Sequence, residues 1–198
     1  MIRRMRPAAA ATAAAVAMMA LAGCAIITPT APVKTPSALE ACAHGTTWAL
    51  DMPALQAQVV ALFAESGIGV SEVRVEGSQT LDWDENGHVT IESAYTVTAK
   101  AGSDIPDVPF VVTQTVNGTT TGRAYFSDVI AVPRNWDADG LTIETSAVRG
   151  EEALESAPFS IPRTAVDDTV GIEVVCSPEQ MTMHPRGTHL TLTWVPAG

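Results

Sequence analysis

The chain has 198 residues, 22 acidic and 11 basic, with a formal net charge of −11 and three cysteines. So acidic a chain has no electrostatic route to nucleic acid and is repelled by anionic lipid headgroups. Its length allows one domain with a real core.

Arg3, Arg4 and Arg6 precede a run of Ala, Val and Met from Ala8 to Ala20, broken only by Thr12. The run is too short and too alanine-rich for a stable membrane span and fits a signal h-region. Leu21-Ala22-Gly23-Cys24 follows, with small residues where a signal peptidase needs them. Together these residues resemble a bacterial lipoprotein signal peptide ending in a lipobox. The resemblance implies that residues 1–23 are removed and that Cys24 becomes the N-terminus. Its thiol then takes a diacylglycerol, holding the protein on the extracytoplasmic face of the cell membrane. An ordinary secretory signal with a chance cysteine is the alternative. The residues flanking Arg3-Arg4 do not support a twin-arginine route. Without residues 1–23 the chain keeps 22 acidic residues against eight basic ones, or −14. Attachment must therefore come from the lipid, for which two acyl chains suffice.

Residues 24–40 hold Pro29, Pro32 and Pro36 among Ala, Thr and Ser, the composition of a semi-extended tether. A single domain is expected over 41–198. With Cys24 lipidated, Cys42 and Cys176 are the two thiols left in an exported, oxidising setting, where pairs usually bridge. No CxxC is present, which argues against a thiol redox site or a cysteine-based zinc site.

Asp51 before Met52-Pro53 reads as an N-cap followed by a first-turn proline. Leu55, Val59, Leu62 and Phe63 form one apolar stripe, Gln56, Gln58 and Glu65 lie off it, and Gly67 supplies a stop. The spacing predicts a helix over 52–66. From Ser71 the period becomes two: Val73, Val75, Leu81 and Trp83, then Val89, Ile91, Tyr95 and Val97, all at odd positions. For both sets to face one side, the hairpin loop must be Glu85-Asn86-Gly87, pairing Trp83 with Val89, with positive φ and a bulge at Gly87. Further strands are expected at 108–116, 119–132, 140–148, 169–176 and 188–195, with Asn117-Gly118 as a hairpin turn. The fold class is α+β, mostly β: a curved antiparallel sheet or lipocalin-like open barrel of about seven or eight strands with one N-terminal helix. Trp83-Asp84-Glu85-Asn86-Gly87 echoes Trp136-Asp137-Ala138-Asp139-Gly140, and shared turn chemistry is the simpler account of that echo.

Asp82, Asp84 and Asn86 match the first half of an EF-hand loop, but Ser93 stands where a bidentate Glu is needed. They are weak metal candidates in an acidic turn. Met181, Met183, His184 and His189 suit copper by ligand type, yet methionine also fills core gaps. His44 and His88 read as isolated surface or turn histidines. No G-x-S-x-G, P-loop or dinucleotide glycine pattern occurs.

Cys42 to Leu50, Gly77 to Val97 and Cys176 to Trp194 look like the corresponding parts of uncharacterised actinobacterial lipoproteins. The shared features are the lipobox, a Trp soon after a cysteine, one helix, a Thr-Leu-x-Trp/Phe-x-x-x-Gly hairpin, and a late cysteine before a final Thr-Trp strand. The resemblance implies location and disulfide pairing, not an activity. A more distant analogue is the mycobacterial lipoprotein class whose open half-barrel carries lipids.

The expectation is a monomeric, non-enzymatic, lipid-anchored surface protein without a cofactor. It meets the membrane through the diacylglycerol on Cys24 and a cell-wall or protein partner through its surface. The alternative is a binder of lipid or another apolar small molecule in a lipocalin-like or half-barrel cavity. The discriminator is the interior. A helix laid across the sheet's concave face leaves a packed core, whereas a helix outside it leaves room for a ligand.

Overall fold

The computed structural model describes residues 36–103, 105, 108–162 and 170–198. The lipobox and Cys24 lie outside the described residues.

The first element is a short helix, α1 (Ala38–Ala43), in a stretch whose prolines point to a tether. It forms because Ser37 and Glu40 make a capping box. The Ser37 hydroxyl accepts from the Glu40 amide at 3.1 Å, and the Glu40 carboxylate accepts from the Ser37 amide at 2.7 Å. A short strand, β1 (Thr47–Leu50), leads into α2 (Met52–Glu65). The Asp51 side chain caps α2 by accepting from the Ala54 amide at 2.9 Å. Gly67 ends it at φ 71°, as the stop signal requires. Leu55, Val59 and Phe63 are buried and Leu62 partly so.

Long strands β2 (Val70–Trp83) and β3 (His88–Ala101) form the first hairpin. Trp83 pairs with Val89 and Gly87 has φ 78°. The three-residue loop closes with the Asp84 amide donating to the His88 carbonyl at 2.9 Å, so the parity argument holds. Next comes β4 (Phe110–Ser127), one strand through the expected Asn117-Gly118 turn. Gly118 instead lies inside the strand: at φ 124° a Cβ there would stand 1.9 Å from the Gly140 carbonyl oxygen. The real turn falls at Asp128-Val129, dividing the expected strand 119–132. After it run β5 (Ile130–Asp137), β6 (Leu141–Arg149), β7 (Glu152–Ala153), β8 (Ile172–Ser177), β9 (Gln180–Pro185) and β10 (Leu192–Pro196).

The ten strands make one antiparallel sheet, in the order β3-β2-β1-β10-β9-β8-β5-β4-β6-β7. Because β3 also pairs with β4, the sheet curls into a ring of eight strands with β6 and β7 extending beyond it. The β5–β8 seam is short, with two paired positions, Ile130 with Glu173 and Ala131 with Ile172. The structure is thus mostly β and antiparallel, as expected. The ring accounts for eight strands, and the one expected helix is joined by α1.

The two helices serve opposite ends of the ring. At the end of β2, α1 is tied down: the Gly45 amide donates to the Trp83 carbonyl at 2.9 Å, and the Trp48 indole donates to the Ala43 carbonyl at 3.2 Å. The Cys42–Cys176 disulfide joins this helix to β8. At the other end, α2 lies against β2 and β10 and replaces strand partners with side-chain amides. Gln56 Oε1 accepts from the Val75 amide at 3.0 Å. Gln58 bonds both backbone groups of Thr191, accepting from its amide at 2.7 Å and donating to its carbonyl. One apolar core runs through the ring and under α2. Trp48, Trp83 and Trp194 are its largest fully buried side chains. At 150–250 Å² each, their burial contributes roughly 4–6 kcal/mol apiece before ordering costs.

Candidate functional site

The ring interior is the first place to look for a ligand. Inward side chains Leu81, Trp83, Ile91, Met183, Leu192 and Trp194 close on a space of about 30 Å³. That holds one or two waters, far below the roughly 300–1,000 Å³ of ligand pockets. Trp136 lines the same space and packs on Gly122, where a Cβ would stand 2.3 Å from its ring. The echoed segments thus bring Trp83 and Trp136 to one cavity. Their turns share a device, an aspartate accepting from the amide two residues on: Asp84 from Asn86 at 2.7 Å and Asp137 from Asp139 at 2.9 Å.

Outside the ring there is more room. A groove of about 670 Å³ runs along the C-terminal end of α2, between Leu62, Phe63, Ile68, Pro162 and Leu190, with His189 at its side. An adjoining recess of about 390 Å³ shares Phe63 and Ile68. Phe159 meets Phe63 edge-on there, ring centres 5.5 Å apart.

The metal candidates do not assemble. Asp84 Oδ1 is held by the amides of Asn86 and His88 at 2.7 and 2.9 Å, which lowers its pKa, the His88 amide most. Asp82 contacts the Thr47 hydroxyl at 3.4 Å. Strand alternation splits the methionine–histidine group. Met181 and Met183 are buried, while His184 lies on the other face of β9 beside the Leu190 carbonyl at 3.0 Å. His189 belongs to the groove. Among the described residues, no three His, Cys, Asp or Glu side chains gather as a metal would need.

His44, expected to be an isolated surface or turn histidine, sits in the turn after α1 but is half-buried beside the core. Its ring lies 5.3 Å from Trp83 and 5.9 Å from Phe126, and its buried Nε2 has no hydrogen-bond partner. Burial pushes its pKa down, opposed by the charges of Glu40, Asp84 and Glu85. Trp83 also stacks on Phe126 at 4.7 Å. The sequence carries no signal for this cluster, because its members come from three separate segments.

Chain position also concealed a row of nitrogen-bearing side chains. On the outer wall, His88 pairs with Arg123 across β3–β4, and Arg123 with Arg134 across β4–β5. The second pairing depends on the irregularity between Thr121 and Arg123, opposite Asn135 at φ 52°. Asparagine tolerates that conformation better than most residues, a weak sequence hint at best.

No family model and no curated protein matches this chain. Among the described residues, no helix is long and apolar enough to cross a membrane.

Proposed function

We propose that this chain is a lipid-anchored, non-enzymatic protein of the extracytoplasmic face that acts through its outer surface. The lipobox-like Leu21-Ala22-Gly23-Cys24 supports the anchor. The observation that carries the mode of action is the filled ring: among the described residues, its inward side chains close on a space of about 30 Å³, too small for an acyl chain. The outer wall, by contrast, presents Tyr125, Val129 and Val175 at 47, 51 and 70% exposure. These lie on neighbouring segments, since the Val174 amide donates to the Val129 carbonyl at 2.9 Å.

A second reading is favoured by one feature, the 670 Å³ groove beside α2. An apolar small molecule would bind there, outside the ring, rather than in a lipocalin-like cavity. The experiment is detergent phase partitioning of wild type and Cys24→Ala, with lipid extraction of the purified wild type. The proposal expects wild type in the detergent phase, the variant in the aqueous phase and no stoichiometric extracted ligand. A variant that stays in the detergent phase defeats the anchor, and a stoichiometric ligand lost on Phe63→Ser moves the function to the groove.

A further inference from the structure

We infer that Arg123 and Arg134 form a binding site for a phosphate or phosphodiester group on the outer wall of the ring. Their Cα positions are directly paired across β4 and β5, so both side chains leave the same face of the sheet. Paired cross-strand positions hold their Cβ atoms about 4.5–5.5 Å apart, and like charges there oppose each other. In a chain with twice as many acids as bases, such a pair would be expected to recruit carboxylates. It does not.

The other described cations are committed. Arg74 meets Glu72 and Glu76, Lys100 meets Glu72, Arg149 meets Glu152 and Arg186 meets Glu173. Arg123 instead spends its donors on neutral groups: Nη1 donates to the Tyr125 hydroxyl at 3.1 Å, and Nη2 to His88 Nε2 at 2.8 Å. A guanidinium can only donate, so Nε2 is the acceptor in that contact. The two contacts fix the Arg123 plane on the wall. Arg134 is exposed and has no ion pair among the described residues. Several acids on these strands and turns have other partners: Asp84 and Asp137 accept from turn amides, and Glu173 pairs with Arg186.

One immobilised guanidinium, one free guanidinium facing it and a phenol beside them match an oxyanion with several acceptor oxygens, since guanidinium forks bind phosphate bidentately. The site is a local exception to the chain's overall repulsion of anions. It lies towards the ring end where α1 enters, as β4 runs on from Arg123 past the β2–β3 turn. Two sources fit the chemistry, a phospholipid headgroup and a soluble phosphate-bearing molecule. The inference does not depend on lipidation of Cys24.

The test uses full-length Cys24→Ala, so that no acyl chain confuses vesicle binding. Inorganic phosphate and glycerol phosphate are titrated by NMR, following the arginine side-chain NH signals. Sedimentation is measured with vesicles of phosphatidylcholine alone and with added phosphatidylglycerol. The expected result is saturable phosphate binding that weakens about tenfold in Arg134→Gln and in Arg123→Gln, but not in Arg74→Gln. Sedimentation with anionic vesicles that is lost in the same two variants assigns the headgroup. Binding of the small phosphates without sedimentation assigns the soluble source. Absence of saturable binding to either probe, or equal weakening by Arg74→Gln, overturns the inference. Circular dichroism of each variant checks that the fold is kept.

Discussion

The carboxamide of Gln58 bonds both backbone groups of Thr191, a residue 133 positions along the chain. A helix side chain thereby does the work of a missing strand partner at the edge of β10. Gln56 does the same for Val75 on β2. Gln58→Ala leaves a part-buried amide and carbonyl unpaired, at about 1–3 kcal/mol for such groups. The expected outcome is a melting temperature lower by roughly 4–8 °C. Gln58→Glu, which keeps the acceptor and loses the donor, should fall between. A Gln58→Ala variant melting with wild type would remove α2's role as an edge partner.

The disulfide is the second test. Cys42 and Cys176 are 134 residues apart, and chain-entropy estimates for so long a loop give about 5 kcal/mol. Reduction, or Cys42→Ala with Cys176→Ala, should lower the urea midpoint sharply. It should also free α1 first, seen as faster amide exchange at Ala43 and His44. Equal midpoints with and without reductant would contradict it.

His44 gives a pH signature. Its folded pKa lies below the unfolded value of about 6.5 because burial disfavours the charged imidazolium. The unfolded chain therefore binds more protons in that window. The contribution is complete above about pH 6.5 and is lost as the pH falls through the window towards the folded value. Asp84, also lowered, adds a loss only as the pH drops below the usual carboxylate range. His44→Phe should flatten the stability–pH curve as the pH falls below about 6.5 while leaving the acid limb. A wild-type curve flat across that fall in pH would contradict the buried placement.

Gly118 makes a backbone prediction. It combines φ 124° with a would-be Cβ 1.9 Å from the Gly140 carbonyl. Backbone on both sides leaves little room to yield, so Gly118→Ala should cost more than about 3 kcal/mol by denaturant titration. Gly102, with nothing within 4 Å of its Cβ position, should accept alanine with little effect. Equal effects at the two sites would show that β4 does not need glycine at position 118.

These cases show what was legible before the fold was known. The stripe Leu55-Val59-Phe63 reveals α2, and parity across Glu85-Asn86-Gly87 reveals the hairpin, because both are local patterns with strong periods. The cysteine pair was legible by elimination. Gln56 and Gln58 read only as the polar side of a helix, since their partners are distant in sequence. Asn117-Gly118 has the chemistry of a tight turn, yet β3 and β6 pair with β4 on both sides there and hold it extended. Arg123 and Arg134 become neighbours only through the register of β4 and β5, which a bulge shifts. The candidate surface site was therefore hidden in the sequence, whereas the proposed anchor rests on residues 1–24 alone.

The most direct measurement of the central proposal is native mass spectrometry of the protein extracted in mild detergent from the membranes of its own host. The account predicts a chain beginning at Cys24, carrying a diacylglycerol and one disulfide, with no further apolar ligand retained. A chain that still contains residues 1–23, an unmodified Cys24 thiol, or a stoichiometric bound lipid would contradict it.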